Sequence, residues 1–386
     1  MIYLKKIFLL LLILIFPLFV KAEELGLAEN AKSAIMIEST TGEILYSKNP
    51  YEKLAPASMT KMMSLILIME NIEKGNLNWD DKIVVSKNAA SMGGSQIFLE
   101  PNEVMSVEDL IKGICIASGN DATVALAERI AGTETAFVKL MNQKAKELGL
   151  KNTNFMNSTG LDAENHYSSA YDMSLIAKEL VQHEKILEFS SIYEDYLRQN
   201  TDNSFWLVNT NKLVRFYSYI DGLKTGYTSQ AGYCLTATGK KNGMRLITVV
   251  MGEDNTDNRT KDTVAMMDYG FNMYSLKTLI KKNDILGNIK INLGKLEYAN
   301  MISTNNITVL NNSQSSPKNI TYDIVKNNIT APVKVGDIVG RINVYENNNY
   351  QYSVDITIEK DIPKASLFTI FGRNLLDVIS GNIITK

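Results

Sequence analysis

Residues 56–69 read PASMTKMMSLILIM. Ser58 stands at the start of an apolar run, and Lys61 follows three residues later, on the same face of any helix that forms there. One interpretation makes Ser58 an ordinary N-cap and Lys61 a solvated side chain. The other makes them a nucleophile and its base. Motifs elsewhere in the chain decide between the two.

A lysine base is plausible because the chain has no recognisable histidine base. A serine hydroxyl is a weak nucleophile until a base accepts its proton, and the two histidines, His166 and His183, lie in no catalytic motif. A lysine can act as a base only if its pKa falls, which partial burial and a nearby second cation would cause. Lys224 in the strand-like run IDGLKTGYTS (220–229) is the candidate for that cation.

Two further short motifs suit the recognition of a peptide. Lys224 and Thr225 offer a charge and a hydroxyl for an anionic group, and Gly226 would let a substrate backbone approach the strand. Ser118 and Asn120, at a break between two helical runs, offer a hydroxyl for proton relay and an amide to hold a peptide group. Each motif alone is weak, but S-x-x-K, S-x-N and K-T-G in this order are typical of serine acyl-transfer enzymes.

The stretches SMTK, SGNDA and KTGYT resemble the penicillin-binding protein and serine β-lactamase superfamily. The chain is most similar to the D-alanyl-D-alanine carboxypeptidases of low molecular mass. Further similar stretches are IESTTGEILYSKNP, GLDAENHYSSAYDM, NTNKL and GMRLITVVMGE. The resemblance covers about residues 30–275, and extends more loosely to APVKVGDIVG (331–340) and to an amphipathic C-terminal helix.

This resemblance implies a reaction and a role for each site residue. Ser58 would be acylated by the penultimate D-alanine of a peptidoglycan pentapeptide and release the last one, and penicillins would acylate the same serine. Lys61 would be the general base, and Ser118 would pass a proton to the leaving amine. The implied substrate-binding residues are Asn120 for the amide, Lys224, Thr225 and Arg259 for the terminal carboxylate, Gly226 within the K-T-G motif, and Tyr227, whose N–H joins that of Ser58 in an oxyanion hole. The resemblance implies no cofactor and no metal.

The N-terminus predicts export. Lys5 and Lys6 precede an apolar run, Ile7–Val20, and Val20-Lys21-Ala22 provides small residues for cleavage. We expect residues 1–22 to be a signal peptide, with an uncleaved anchor as the alternative. The mature protein would be secreted across the inner membrane and work in the periplasm.

The pattern of the remaining chain predicts an α+β fold with three further segments. Ser33–Asn49 reads as a β-hairpin, and three successive strand-like runs lie between Ile220 and Glu253. Between them, helical patterning includes a capping-box-like start at Ser106 and a continuous run over Ala170–Leu187. Strands that flank a helical middle over residues 23–280 indicate an antiparallel sheet packed with helices. The texture of the sequence changes near Lys281. Residues 286–360 read as a small all-β domain with Asn-rich turns. The formal net charge of −2 gives no reason to expect a nucleic-acid partner. Cys115 and Cys234 lie in apolar runs and are expected to be buried free thiols, although the compartment allows a disulfide.

Residues 364–386 have the period of an amphipathic helix with large apolar residues. One interpretation docks this helix on a domain core. The other attaches the protein peripherally to the inner-membrane surface through the helix.

Three other functions remain to be weighed. A β-lactamase is disfavoured, because Glu147-Leu-Gly-Leu-Lys151 lacks the E-x-x-L-N pattern of class A enzymes. A D,D-endopeptidase uses the same chemistry and differs in the shape of its groove. A non-catalytic envelope protein is disfavoured, since every polar catalytic position is filled.

Overall fold

The computed structural model describes residues 26–199, 201–314 and 319–379. The expected signal peptide, residues 1–22, lies outside the described residues. The fold is α+β, with an antiparallel sheet packed between helices and a C-terminal all-β part, which confirms the predicted class.

The first part of the chain is built on a five-stranded antiparallel sheet of order β2-β1-β9-β8-β7. Its strands are β1 (Ser33–Glu38), β2 (Ile44–Lys48), β7 (Ile220–Thr228), β8 (Gly232–Lys241) and β9 (Met244–Glu253). The sequence predicted the hairpin of β1 and β2 and the three later strands. Strand β7, which carries the K-T-G motif, is an edge strand, so only one of its sides pairs with another strand of this sheet.

Ten helices are present in the described part of the chain. They are α1 (Lys61–Glu73), α2 (Lys87–Ala90), α3 (Val107–Ala117), α4 (Asn120–Ala131), α5 (Glu134–Glu147), α6 (Ala170–Leu180), α7 (Lys185–Ser190), α8 (Leu213–Phe216), α9 (Thr256–Met273) and α10 (Leu367–Ile379).

Both faces of the central sheet are buried. On β1, Ile35 and Ile37 face a large core that includes most of α1, α3, α4 and α6, and Met36 faces a second core under α9. Because the side chains of a strand alternate between faces, successive residues of β1 pack into the two cores alternately. Strands covered on both sides read as continuous apolar runs.

Local signals explain where the helices begin and end. Ser106 caps α3 by accepting a hydrogen bond from Asp109 N, as its capping-box-like sequence predicted, and Gly132 follows the last residue of α4. The sequence predicted one helix over 170–187, but the structure has two, α6 and α7. His183, in the turn between them, contacts Glu73 Oε1 at 2.6 Å, a tertiary contact that helical periodicity does not encode.

Two short antiparallel strand pairs were not predicted from the sequence. One pairs β3 (Lys82–Val84) with β4 (Val104–Ser106), and the other pairs β5 (Glu194–Leu197) with β6 (Phe205–Val208). Each strand has only three or four residues, too few for a period to be read with assurance.

A second, all-β part follows α9. Its strands are β10 (Tyr274–Ile280), β11 (Ile285–Asn292), β12 (Tyr298–Ser303), β13 (Ile307–Asn312), β14 (Ile320–Lys326), β15 (Ile329–Thr330), β16 (Gly340–Glu346) and β17 (Asn349–Ile358). Strands β10 and β13 pair, and the other six form one sheet around a separate apolar core. The first strand begins at Tyr274, before the change in sequence texture near Lys281.

The terminal helix α10 contacts the all-β part through its polar side. Arg373 donates hydrogen bonds to Gly294 O at 2.8 Å and Lys295 O at 2.6 Å. The apolar side chains point away, with Phe368 90% and Phe371 69% exposed. Across the residues that the structure covers, no helix is both long and apolar enough to cross a bilayer.

Candidate active site

Ser58 lies in a single turn of 3₁₀-helix, Ala57–Thr60, that leads directly into α1. Neither the turn nor α1 begins with a side-chain cap hydrogen bond. The structure therefore gives no support to the interpretation of Ser58 as an N-cap. Its hydroxyl instead faces Lys61.

Lys61 is fully buried and held in place by two contacts. Its Nζ lies 2.8 Å from Ser58 Oγ and 2.7 Å from the backbone oxygen of Thr159. None of its surface is exposed. A lysine that keeps its amine out of water within hydrogen-bonding distance of a serine has the geometry of a base.

Burial is the main cause of a lowered pKa at Lys61. Removal from water lowers the pKa of Lys61 well below its ordinary range, the charge of Lys224 lowers it further, and Asp121 partly opposes both. The sequence pointed to partial burial and a neighbouring cation. The structure makes burial complete and the larger of the two effects.

Lys224 shares the same buried region. It is 1% exposed, and its Nζ donates to Thr225 O at 3.1 Å. Burial lowers the pKa of Lys224 to about 7, with a smaller contribution from the positive charge of Arg259. The positive charge of Lys224 in turn favours the neutral form of Lys61, whose pKa it lowers.

Ser118 and Asn120 lie where α3 gives way to α4. Ser118 ends α3 in the left-handed conformation, with φ at 65°, and Asn120 is the first residue of α4. Ser118 Oγ and Asn120 Oδ1 are buried and have no hydrogen-bond partner in the described residues, while Asn120 Nδ2 donates to Gly93 O at 2.6 Å. Buried polar atoms that lack a partner in the protein are available to a ligand.

A cavity of about 450 Å³ opens in front of these groups. Six of the nine predicted site residues line it: Ser58, Ser118, Thr225, Gly226, Tyr227 and Arg259. The other three predicted residues, Lys61, Asn120 and Lys224, are buried and do not line the cavity. The fold thus brings three motifs that are far apart in sequence to one cavity.

One side of the cavity carries a hydroxyl and a guanidinium. Thr225 Oγ1 donates to Thr210 Oγ1 at 2.7 Å. Arg259, in the first turns of α9, is largely buried, and its Nε has no partner in the described residues. Tyr227 is 56% exposed, with its ring 4.4 Å from that of Tyr233.

Gly226 has a structural use that the sequence did not predict. A Cβ at this position would lie 2.9 Å from Pro56 O and 3.3 Å from Ser58 N. The missing side chain therefore admits the protein's own turn, which carries the nucleophile, against β7. A Cβ on Gly160 would lie 1.8 Å from Ala57 O, so a second glycine also packs closely against the same turn.

Sequence reasoning missed several residues of the site. Thr159 contacts Lys61, Thr210 contacts Thr225, and Ser95 and Tyr233 line the cavity. NTNKL, which contains Thr210, carried a signal only through the family resemblance. Thr159 contacts Lys61 through its backbone oxygen, and Ser95 and Tyr233 belong to the site because of their position in the fold. Residue type reveals neither property.

The remaining sequence expectations concern histidines and cysteines. His166 contacts Thr60 Oγ1 at 2.8 Å and His183 contacts Glu73, so neither reaches Ser58 as its base. Cys115 and Cys234 are both buried and free, as expected.

Comparison with known families agrees with the geometry. A family model described as D-alanyl-D-alanine carboxypeptidase matches residues 20–255, and a model described as the penicillin-binding protein 5 C-terminal domain matches residues 274–364. The chain is 48% identical over 352 residues to the D-alanyl-D-alanine carboxypeptidase DacF of Bacillus subtilis, covering 91% of this chain and 90% of the relative.

Solved structures give the same picture. Penicillin-binding protein 5 from Haemophilus influenzae superposes with a TM-score of 0.69 at 29% identity, over 87% of this chain and 98% of that one. Penicillin-binding protein D2 from Listeria monocytogenes, in an ampicillin-bound form, gives a TM-score of 0.57 at 32% identity, over 63% of this chain and 97% of that one.

Proposed function

This chain belongs to the D-alanyl-D-alanine carboxypeptidase family of serine peptidases, and we propose that Ser58 carries the acyl-enzyme through which it removes the terminal D-alanine of peptidoglycan pentapeptides. The observation that carries the assignment to Ser58 is the 2.8 Å contact between its Oγ and the fully buried Lys61 Nζ.

Acylation begins with the removal of a proton. The neutral amine of Lys61 accepts the Ser58 proton, and Oγ attacks the carbonyl carbon of the penultimate D-alanine. Negative charge develops on the carbonyl oxygen, which the N–H groups of Ser58 and Tyr227 stabilise. Preorganised donors of this kind are typically worth about 3 kcal/mol each.

The leaving D-alanine must receive a proton. Ser118 Oγ is buried, lines the cavity and has no partner in the described residues, so it is suited to pass the proton from Lys61 to the departing amine. The peptide C–N bond breaks, and the substrate stays as an ester of Ser58. Water then attacks that ester, with Lys61 again accepting a proton, and frees the serine.

Substrate is held at two places. Asn120 binds the backbone amide on the amino-terminal side of the scissile bond. The terminal carboxylate binds Thr225 Oγ1 and Arg259, with Lys224 supplying positive charge from behind the wall. The carboxylate interaction explains a preference for cleavage at the chain end, since an internal bond offers no such anion.

Penicillins would enter the same cavity and acylate Ser58. The ampicillin-bound form of the similar Listeria protein supports this part of the proposal. The substrate and inhibitor both place the working site outside the cytoplasm, in agreement with the expected signal peptide at residues 1–22. Periplasmic residence and peripheral attachment to the membrane through α10 belong to the same proposal, supported by the exposed apolar side of that helix.

Mass spectrometry of products tests the assignment. Incubation with a pentapeptide ending in D-Ala-D-Ala should release one D-alanine, and Ser58→Ala should release none. Cleavage confined to cross-linked peptide dimers would instead identify an endopeptidase. Fluorescent penicillin labelling that persists in Ser58→Ala would overturn the role of Ser58.

A further inference from the structure

Phe98 is displayed on the surface in a costly conformation. Its side chain is 64% exposed although its neighbours Ile97 and Leu99 are buried. Its φ is 57°, in the left-handed region that bulky residues rarely adopt. Strained residues of this kind persist only where the surroundings fix them, and they concentrate at ligand-binding sites.

The first restraint on Phe98 comes from the catalytic segment itself. The carboxylate of buried Asp121 accepts hydrogen bonds from Ile97 N at 3.1 Å and from Leu99 N at 3.0 Å. Asp121 directly follows Asn120 of the candidate active site. The residues on both sides of Phe98 are thus fastened to the start of α4.

The second restraint comes from Arg198. Its guanidinium donates to Ile97 O at 3.1 Å and to Phe98 O at 3.3 Å, and it forms a bidentate ion pair with Glu103. The Arg198 side chain is only 12% exposed. A buried, bidentate arginine fixes backbone geometry more firmly than a surface ion pair.

Next to Phe98 is a second cavity, of about 530 Å³, with an aromatic side and a polar rim. The Phe98 ring meets Phe205 edge-to-face, with ring centres 5.5 Å apart. The rim offers carboxylate, amide and hydroxyl groups from Glu100, Asn102, Asn203 and Ser204. A flat exposed ring beside several hydrogen-bonding groups suits a sugar, whose ring has an apolar C–H face and hydroxyls at its edge.

This second cavity lies close to the first. Ser95 lines the catalytic cavity and Phe98 lines the second, so at most about 11 Å separates their Cα atoms. A fully extended pentapeptide spans roughly 17 Å. A sugar joined to the far end of a peptide that occupies the catalytic cavity is therefore within reach of Phe98.

We propose that Phe98, Phe205 and the polar rim bind the amino-sugar backbone of peptidoglycan while its peptide occupies the catalytic cavity. This inference rests on the proposed function and adds the glycan to its substrate. It makes Phe98 a residue that distinguishes the polymer and its disaccharide fragments from free peptide.

Two substrates that share one pentapeptide test the proposal. One is the free peptide ending in D-Ala-D-Ala, and the other carries the N-acetylglucosamine–N-acetylmuramic acid disaccharide at its amino end. In the wild type, KM should be about tenfold lower for the disaccharide form, the size of effect expected from one aromatic contact. In Phe98→Ala the ratio of the two KM values should fall to about one. Tyr298→Ala, which removes an equally exposed ring from the all-β part, should leave the ratio unchanged.

Equal KM values in the wild type, or a Phe98→Ala variant that keeps the full tenfold ratio, would overturn the sugar site. Fluorescent penicillin labelling of Ser58 shows whether each variant folds, and Phe98→Leu, which keeps apolar bulk without a flat ring, serves if the alanine variant does not. Titration calorimetry of the penicillin-acylated protein with the disaccharide alone separates the two proposals. Binding that requires Phe98 supports the sugar site even if peptide hydrolysis fails, and absence of binding contradicts it even if hydrolysis succeeds.

Discussion

Lys61 is unusual because the fold keeps a whole lysine out of water. Burial of an unpaired ammonium group is costly, and the group responds by giving up its proton. No carboxylate offsets the cost by direct contact: Lys61 Nζ touches a hydroxyl and a backbone oxygen, and Asp121 acts only from a distance. Burial therefore costs stability while Lys61 is charged, and it favours the neutral amine that a base requires.

Replacement of Lys61 by methionine tests both the stability cost of the buried amine and its role as a base. Lys61→Met keeps the length of the side chain and removes the amine, so penicillin acylation should fall by a factor on the order of 10²–10⁴. The melting temperature should stay the same or rise, since a buried amine is exchanged for an apolar group. Stopped-flow acylation and a thermal melt give both values. A variant that unfolds while Ser58→Ala does not would show that the amine is structural.

At the scale of elements, the site depends on how closely β7 approaches the turn that carries Ser58. Gly226 and Gly160 both pack against that turn, and neither position has room for a Cβ. The approach sets the distance between the Tyr227 N–H and the Ser58 N–H, the proposed oxyanion hole. The geometry therefore requires small residues at both positions. We expect larger residues there to reduce activity more than they reduce the stability of the fold.

Gly226→Ala measures this requirement. The added methyl would lie 2.9 Å from Pro56 O, and overpacking of this kind typically costs about 1–3 kcal/mol. We expect kcat/KM for pentapeptide to fall at least tenfold as β7 moves away from Ser58. Gly372→Ala is the matched control, because a Cβ there meets nothing within 4 Å. Normal activity in Gly226→Ala would argue against the role of Tyr227 N–H.

The contact between β9 and α9 contains a buried acid pair. Glu253 is 1% exposed, and burial, followed by the neighbouring carboxyl of Asp262, raises the pKa of Glu253 to about 8. An unfolded chain loses that proton near pH 4.3, so between about pH 4.3 and 8 the folded state holds a proton that the unfolded state does not. The stability contributed by this group is complete below pH 4.3 and is lost as pH rises through 8.

Glu253→Gln should remove that part of the pH dependence. Amide nitrogen cannot ionise, so the variant should lose less of its melting temperature between pH 5 and pH 9 than the wild type does. Thermal melts across this range provide the comparison, with Glu52→Gln, at an exposed position, as a control. Parallel curves for wild type and Glu253→Gln would mean that Glu253 is ionised in the folded protein.

The sequence predicted correctly the helices and strands that have a long hydrophobic period or a clear helix cap. The β1–β2 hairpin, the capped start of α3, the break at Ser118-Gly119-Asn120 and strands β7 to β9 were all predicted from local pattern. The β5–β6 hairpin and the split between α6 and α7 were not, because tertiary contacts decide them. Similarly, residue types predicted the lysine pair at the site, but the completeness of its burial depends on packing by elements distant in sequence.

For the whole molecule, the arrangement of α10 is the notable feature. Arg373 ties one side of the helix to the all-β part, and the large apolar side chains face outward. Monomeric soluble proteins rarely leave so many large apolar groups exposed side by side. If a lipid surface covered this apolar side, the Arg373 contacts would remain intact. The all-β part would then act as a spacer between the membrane and the catalytic part.

Deletion of Ser366–Lys386 should separate attachment from catalysis. Hydrolysis of soluble pentapeptide should be unchanged, while co-sedimentation of the mature protein with anionic lipid vesicles should be lost. A second variant, Phe368→Ser with Phe371→Ser, should weaken sedimentation and retain the Arg373 contacts. Full retention on vesicles in both variants would mean that another part of the protein attaches it to the membrane.

The pH dependence of the penicillin acylation rate tests the central claim, that Ser58 is activated by a lysine made neutral through burial. The rate constant should rise as Lys61 loses its proton and should level off well below the ordinary lysine pKa of about 10.4. In Lys61→Met this rise should be absent and the rate low throughout. A wild-type rate that keeps climbing until pH 10, or one that Lys61→Met leaves unchanged, would contradict the account.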